Sequence, residues 1–88
     1  MKGNYSVEYK LEYEVYYDDY GWSPDYDWHT VEIRDIEKED IPEYLQTHCR
    51  RVPASMMNQQ VRITGVEVDM DRDVTDLDAQ DEENNDKE

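Results

Sequence analysis

The chain has 88 residues and a formal net charge of −15 at pH 7, from 24 acidic and 9 basic residues. This length accommodates one domain, and the charge disfavours direct binding to nucleic acid or to anionic membranes, because both depend on lysine and arginine. The single cysteine, Cys49, excludes an internal disulfide and a cysteine-based zinc cluster. Because no apolar signal segment opens the chain and no apolar run approaches the ~20 residues of a membrane span, we expect a cytosolic protein.

The first predicted element is a long strand with one apolar face. Alternate positions from 5 to 17 carry Tyr, Val, Tyr, Leu, Tyr, Val and Tyr, and mostly polar residues stand between them. This period of two is typical of an antiparallel strand that is buried on one side. The opposite side of the strand carries Glu8, Glu12 and Glu14, a row that Lys10 interrupts.

Residues 18–27 are predicted to form a long hairpin loop after this strand. Gly21, Pro24 and four aspartates favour a loop, and long ordered loops are more often functional than short connections. Aromatic residues are concentrated here, and tyrosine and tryptophan are favoured at protein interfaces. Of the six aromatic residues between positions 16 and 28, we expect Tyr17 and one tryptophan to lie in the core.

A second strand and a helix follow the loop. The strand is predicted over residues 28–36, with Val31 and Ile33 on one face. The helix begins at Asp40 as N-cap, with proline in its first turn, and ends before Pro53. Its apolar stripe comprises Ile41, Tyr44, Leu45, His48, Cys49 and Val52.

A third strand over residues 59–70, with a bulge at Gly65 where the apolar alternation changes phase, completes the predicted domain. The result is an α+β fold, a three-stranded antiparallel-type sheet in β-β-α-β order covered by one helix. We assign residues 1–68 to this domain. Residues 69–88, with ten acidic residues, two basic residues and no aromatic, are predicted to form a flexible acidic C-terminal tail.

The sequence contains no motif that predicts catalysis, a cofactor or a metal site. Asp69, Asp71 and Asp73 have the spacing of a calcium loop, but valine stands where the loop requires glycine and glutamine where it requires glutamate. The two histidines and Cys49 are too few for a closed zinc site, and no motif orients a base to activate the cysteine. We therefore expect a protein that binds a partner and is not an enzyme.

The acidic residues are spaced closely enough to imitate a nucleic-acid backbone. Carboxylates two residues apart on a strand are about 6.6–6.8 Å apart, and each DNA strand carries one phosphate per ~3.4 Å. The alternative is ordinary solvation of an outer sheet face, with Arg34 or Arg62 neutralising part of the row by cross-strand pairing. The predicted partner-binding residues are Glu8, Glu12, Glu14, Asp18, Asp19, Trp22, Asp25, Tyr26 and Asp27.

Over residues 5–70, a Tyr/Glu strand is followed by the loop sequence Gly21-Trp22-Ser23-Pro24-Asp25, a Val-Glu-Ile strand, a short helix and an acidic end. This series resembles small accessory proteins of tailed bacteriophages. In charge and size the chain is also similar to phage DNA mimics that block restriction, repair-nuclease or CRISPR complexes. Those inhibitors share no common fold, so the similarity assigns no functional residue.

The sequence thus predicts a non-catalytic, phage-encoded inhibitor that occupies a basic, nucleic-acid-binding site of a host protein in the host cytoplasm. The alternative is an interaction or assembly module whose partner does not bind nucleic acid and whose acidity serves solubility. Salt dependence and competition by DNA separate the two. Because a three-stranded sheet has exposed edges, dimerisation by strand pairing stays open.

Overall fold

A computed structural model describes residues 1–78 of the chain, which form one antiparallel sheet with a short helical segment on one face. The strands are β1 (Lys2–Tyr17), β2 (Gly21–Glu37), β3 (Val61–Glu67) and β4 (Val74–Asp76). β2 pairs with one edge of β1, and β3 and β4 pair with the other edge. The predicted α+β class is confirmed, whereas the prediction of three strands is wrong, because the described residues form four.

β1 and β2 form a long hairpin with a tight turn at residues 18–20. The pairing runs from Lys2 opposite Glu37 to Tyr17 opposite Gly21, and Gly21 has a φ of +78°, which glycine adopts without strain. The prediction of a loop over residues 18–27 is therefore wrong, since β2 begins at Gly21. Pro24 is tolerated within β2 because β2 is an edge strand, where a missing backbone N–H leaves no partner unsatisfied.

The segment between β2 and β3 is helical but irregular. A 3-10 turn (Lys38–Asp40) leads into α1 (Ile41–Tyr44), a π-helical turn (Leu45–Cys49) continues it, and a second 3-10 turn (Ala54–Met56) precedes β3. Pro42 lies in the first turn as predicted, but Asp40 makes no side-chain capping hydrogen bond. Ile41 and Leu45 are buried, so they anchor this segment on the sheet.

The hydrophobic core lies between the helical segment and one face of β1. Its buried members are Tyr5, Val7, Tyr9, Leu11, Tyr13 and Val15 of β1, with Ile33, Ile41, Leu45 and Val66. Six of the ten come from β1, which confirms the predicted apolar stripe. Burying one such side chain contributes roughly 1.5–3 kcal/mol, so this one strand supplies most of the apolar stabilisation.

Two expected core residues lie outside the core. Tyr17 is 45% exposed, because it stands beside the turn of the hairpin, opposite Gly21. Neither tryptophan is buried: Trp22 is 38% exposed and Trp28 is 53% exposed. Both pair with even-numbered residues of β1, and the pairing register therefore places both on the face that points away from the core.

β3 contains the predicted bulge. Glu12 lies opposite Gly65 and Tyr13 lies opposite Ile63, so Thr64 is the additional residue. A Cβ atom at Gly65 would lie 3.1 Å from Oε1 of Glu12. Glycine therefore allows β3 and the Glu12 side chain to approach each other closely at the bulge.

Part of the predicted tail belongs to the sheet. A turn at residues 69–73, in which the Asp73 N–H donates to the Asp69 carbonyl oxygen at 2.8 Å, leads into β4. β4 places Val74 opposite Val7, where Val74 packs against the core. Residues 79–88, the remainder of the predicted tail, lie outside the described residues. Within residues 1–78, no helix combines the length and the apolar character needed to cross a membrane.

Candidate protein-binding face

The sheet has a second face, opposite the helical segment, which we call the open face. Directly paired residues of antiparallel strands point to the same side of a sheet, so the register identifies its members. β1 and β2 contribute Glu8, Lys10, Glu12, Glu14, Tyr16, Trp22, Pro24, Tyr26, Trp28 and Thr30. β3 contributes Arg62 and Glu67. The helical segment packs on the other face, so these side chains form a solvent-facing surface.

Exposed aromatic side chains of β2 form a row along the open face. Trp22, Tyr26 and Trp28 stand at even positions of the strand, and Tyr26 is 52% exposed. Tyr16 of β1 extends the row, since its ring meets that of Trp22 edge-on with centroids 5.5 Å apart. Exposed aromatic side chains grouped on one face are typical of a protein-binding site.

Arg62 lies between an aromatic ring and a carboxylate at one end of this row. Its Cζ atom is 4.1 Å from the centroid of the Trp22 ring, which is cation–π geometry. Its Nε–H donates to Oε1 of Glu14 at 2.6 Å. The pairing of Arg62 with the acidic row, one of the two that the sequence suggested, is therefore confirmed. Arg34, the other candidate, pairs with Glu32 of its own strand at 2.9 Å.

Lys10 repeats this arrangement in the middle of the open face. Its Nζ atom is 4.6 Å from the centroid of the Tyr26 ring and 3.5 Å from Oε2 of Glu12. Ion pairs this exposed contribute about 0–1 kcal/mol to stability. Their main effect is to hold aromatic and acidic side chains in a defined arrangement on the surface.

The structure brings together five of the nine predicted partner-binding residues. These five, all on the open face, are Glu8, Glu12, Glu14, Trp22 and Tyr26. Asp18 and Asp19 lie in the turn at the tip of the hairpin. Asp25 and Asp27 lie on the opposite side of the sheet, because they pair with Tyr13 and Leu11. The interpretation of residues 18–27 as one continuous loop surface is therefore wrong.

Asp27 has a structural contact on the covered side of the sheet. The Tyr13 hydroxyl donates to Oδ2 of Asp27 at 2.9 Å. Burial, together with this hydrogen bond, raises the pKa of Tyr13 to about 12. Asp27 thus accepts a hydrogen bond from a core tyrosine and is partly withdrawn from any surface role.

The predicted partner-binding residues omit Trp28 and Glu67, which are members of the open face. The signal for Trp28 was present, since Trp22, Tyr26 and Trp28 keep the period of two that marks β2. The signal for Glu67 was not, because its place beside Lys10 depends on the register of β3, which the bulge shifts. Long-range pairing of this kind leaves no local pattern in the sequence.

Tyr9, His29 and Cys49 form a separate group of polar side chains beneath the helical segment. The rings of Tyr9 and His29 are 5.7 Å apart, and Nε2 of His29 is buried without a hydrogen-bond partner among residues 1–78. Burial and the neighbouring Cys49 side chain raise the pKa of Tyr9 to about 12. No cluster of three or more potential metal ligands occurs in the part of the chain that the structure describes.

Comparison of the chain with protein-family models, with curated proteins and with solved structures found no match. Function is therefore inferred from geometry. The open face has three features that bear on function: exposed aromatic rings, a row of carboxylates, and basic side chains that lie between the two.

Proposed function

We propose that the protein is a non-catalytic acidic binding protein whose open face docks onto a basic surface of a partner protein. One observation carries this proposal. The exposed aromatic row of β2 runs beside the carboxylate row of β1, on the sheet face that the helical segment leaves uncovered. Tyrosine and tryptophan supply apolar contact area in an interface, and the carboxylates select a partner of positive charge.

The partner surface that fits best is a nucleic-acid-binding site of a host protein. Cells keep such sites basic in order to neutralise phosphates, and this chain carries a net charge of −15. Asp18 and Asp19 add charge at the hairpin tip, and Asp69 and Asp71 add charge in the turn before β4. The protein then acts as a stoichiometric DNA mimic in the host cytoplasm, in agreement with its resemblance to phage inhibitors.

A second candidate is an interaction module whose partner does not bind nucleic acid. It is favoured by the pairing of Glu14 with Arg62 and of Glu12 with Lys10, which neutralises part of the acidic row. In this candidate the aromatic row provides the contact, and the acidity keeps the protein soluble.

Capture and displacement separate the two candidates. The protein is immobilised, a bacterial lysate is passed over it, and the retained protein is challenged with excess duplex DNA and with about 0.5 M salt. Mimicry predicts that the retained protein binds nucleic acid and that both treatments release it. A retained protein that survives both treatments contradicts mimicry and supports the interaction module.

Two charge reversals control for position. Glu8→Lys places a positive charge on the open face, and Glu43→Lys makes the same change on α1; both side chains are exposed. We expect Glu8→Lys to lose the retained protein and Glu43→Lys to keep it. Equal losses would mean that total charge, and not the open face, attracts the partner.

A further inference from the structure

The open face contains one arrangement twice. In each copy, a cation lies over an aromatic ring of β2 and is paired with a glutamate of β1. Arg62 lies between Trp22 and Glu14, and Lys10 lies between Tyr26 and Glu12. The surface is therefore built to hold cationic side chains by stacking and ion pairing together.

Trp28 is the third ring of the row, and it has no such cation within residues 1–78. Trp28 is about as exposed as Tyr26 and more exposed than Trp22. It forms one wall of a groove of about 440 Å³ at the gap between the end of β3 and the start of β4. The rest of the lining combines the carboxylate-bearing residues Glu67, Asp69 and Asp73 with apolar side chains, among them Pro42 of α1.

The acidic side of this groove is held in place by the turn before β4. Oδ2 of Asp73 accepts a hydrogen bond from the Asp69 N–H at 3.0 Å, and Oδ1 of Asp69 accepts one from the Asp71 N–H at 3.0 Å. Each carboxylate has a second oxygen, which can accept from a ligand. The groove's own cation, Lys10, has its ammonium over Tyr26 and beside Glu12.

We propose that this groove binds an arginine side chain of the partner, with the guanidinium stacked on Trp28 and hydrogen-bonded to the carboxylates beside it. The inference rests on the proposed function and names the group that the open face recognises. Arginine fits better than lysine because its planar guanidinium stacks on an indole and its donors suit carboxylates. The three carboxylate-bearing residues of the lining outnumber its one lysine, so the groove attracts a cationic side chain.

The two tryptophans give a direct test by NMR. The chain has two indole N–H signals, which Trp22→Leu and Trp28→Leu assign. N-acetylarginine amide at millimolar concentration is added to the full chain, and N-acetylcitrulline amide, its neutral isostere, serves as control. We expect arginine to shift the Trp28 signal, to leave the Trp22 signal in place because Arg62 occupies that ring, and citrulline to shift neither.

Two further variants sharpen the result. Arg62→Ala frees the Trp22 ring, so arginine is expected to shift both indole signals in this variant. Arg72, in the turn beside the groove, is the competing occupant from the chain itself. A Trp28 signal that responds to arginine in Arg72→Ala but not in the wild type would show that Arg72 fills the groove and would overturn the proposal. A response equal for arginine and citrulline, or no response in either protein, would overturn it too.

The same variants keep this inference distinct from the proposed function. If a captured partner binds Trp28→Leu and the wild type with equal affinity, the result supports the proposed function and contradicts the arginine site. If arginine shifts the Trp28 signal and no basic partner is found, the result supports the arginine site and contradicts the proposed function. With both correct, Trp28→Leu weakens the partner's binding by about 5- to 30-fold.

Discussion

The two faces of β1 have the same backbone and opposite environments. On the covered face, side chains from Tyr5 to Val15 pack under Ile41 and Leu45 and are almost fully buried. On the open face, Glu8, Lys10 and their neighbours meet solvent and lie opposite residues of β2 and β3. The difference separates two roles along one strand: the covered face supplies the stability of the fold, and the open face is the one that we propose for recognition.

Substitution of Leu11 tests the covered face and has the largest expected effect. Leu11 is 2% exposed at the centre of the core, and Leu11→Ala is expected to lower the free energy of unfolding by about 2–5 kcal/mol, because it leaves a cavity. Urea unfolding followed by tryptophan fluorescence measures it. The matched control is Lys10→Ala, one residue earlier on the open face, which is expected to cost less than about 1 kcal/mol. Similar losses for the two variants would contradict the separation of roles.

Tyr13→Phe tests the contact that crosses from the core to Asp27. Removing the hydroxyl eliminates a hydrogen bond to a charged acceptor, which is expected to cost about 1–3 kcal/mol in the free energy of unfolding at neutral pH. Tyr17→Phe is the control, because its ring is exposed at the hairpin end. A loss no greater than that of Tyr17→Phe would show that the Tyr13–Asp27 contact is not stabilising.

Alkaline pH gives a second measure of the same contact. The folded chain holds the pKa of Tyr13 at about 12, above its ordinary value of 10.0. The unfolded chain therefore loses its proton first, so this stabilisation is complete below pH 10 and is lost as the pH rises from about 10 to about 12. Tyr9 is raised in the same way, so Tyr13→Phe is expected to reduce the alkaline loss of stability without abolishing it. An unchanged pH profile would contradict this assignment.

Val74→Ala tests whether β4 is part of the covered side. Val74 is half-buried and packs on the core opposite Val7, and the substitution is expected to cost about 1 kcal/mol in the free energy of unfolding. Arg72→Ala, at an exposed position two residues earlier, is expected to change it by less than about 0.5 kcal/mol. Equally small effects of the two substitutions would show that residues 74–76 do not stabilise the sheet and belong to the acidic tail.

Arg62→Ala probes the open face and has the smallest expected effect on stability. Its contacts with Trp22 and Glu14 are exposed, so the loss is expected to stay below about 1 kcal/mol. The substitution is expected to increase the solvent exposure of the Trp22 ring, because the Arg62 guanidinium no longer lies over it. In a Trp28→Leu background, acrylamide should then quench Trp22 fluorescence more strongly; unchanged quenching would show that Arg62 does not cover the ring.

The residues of the covered face could be predicted from the sequence more completely than those of the open face. The alternation from Tyr5 to Val15 and the phase change at Gly65 are local patterns, and both predictions were confirmed. The start of β2 was missed because Gly21, Pro24 and the aspartates have the composition of a loop, while an edge strand tolerates them.

Other features depended on distant pairing. β4 has three residues within an acidic stretch, too short to show a period of its own. Asp25 and Asp27 are separated from Glu12 and Glu14 by the register of the hairpin. The sequence did not predict this register, because residues 18–27 were predicted to be a loop. The convergence of Trp22, Arg62 and Glu14 likewise requires three strands to be aligned.

The most direct test of the central claim compares the same charge change on the two faces. Glu8→Gln and Asp25→Asn each remove one exposed carboxylate, the first from the open face and the second from the opposite side. The affinity of the captured partner is measured for both variants and the wild type at one salt concentration. We predict that Glu8→Gln weakens binding about threefold to tenfold while Asp25→Asn stays within about twofold. Equal weakening by the two variants would contradict recognition through the open face.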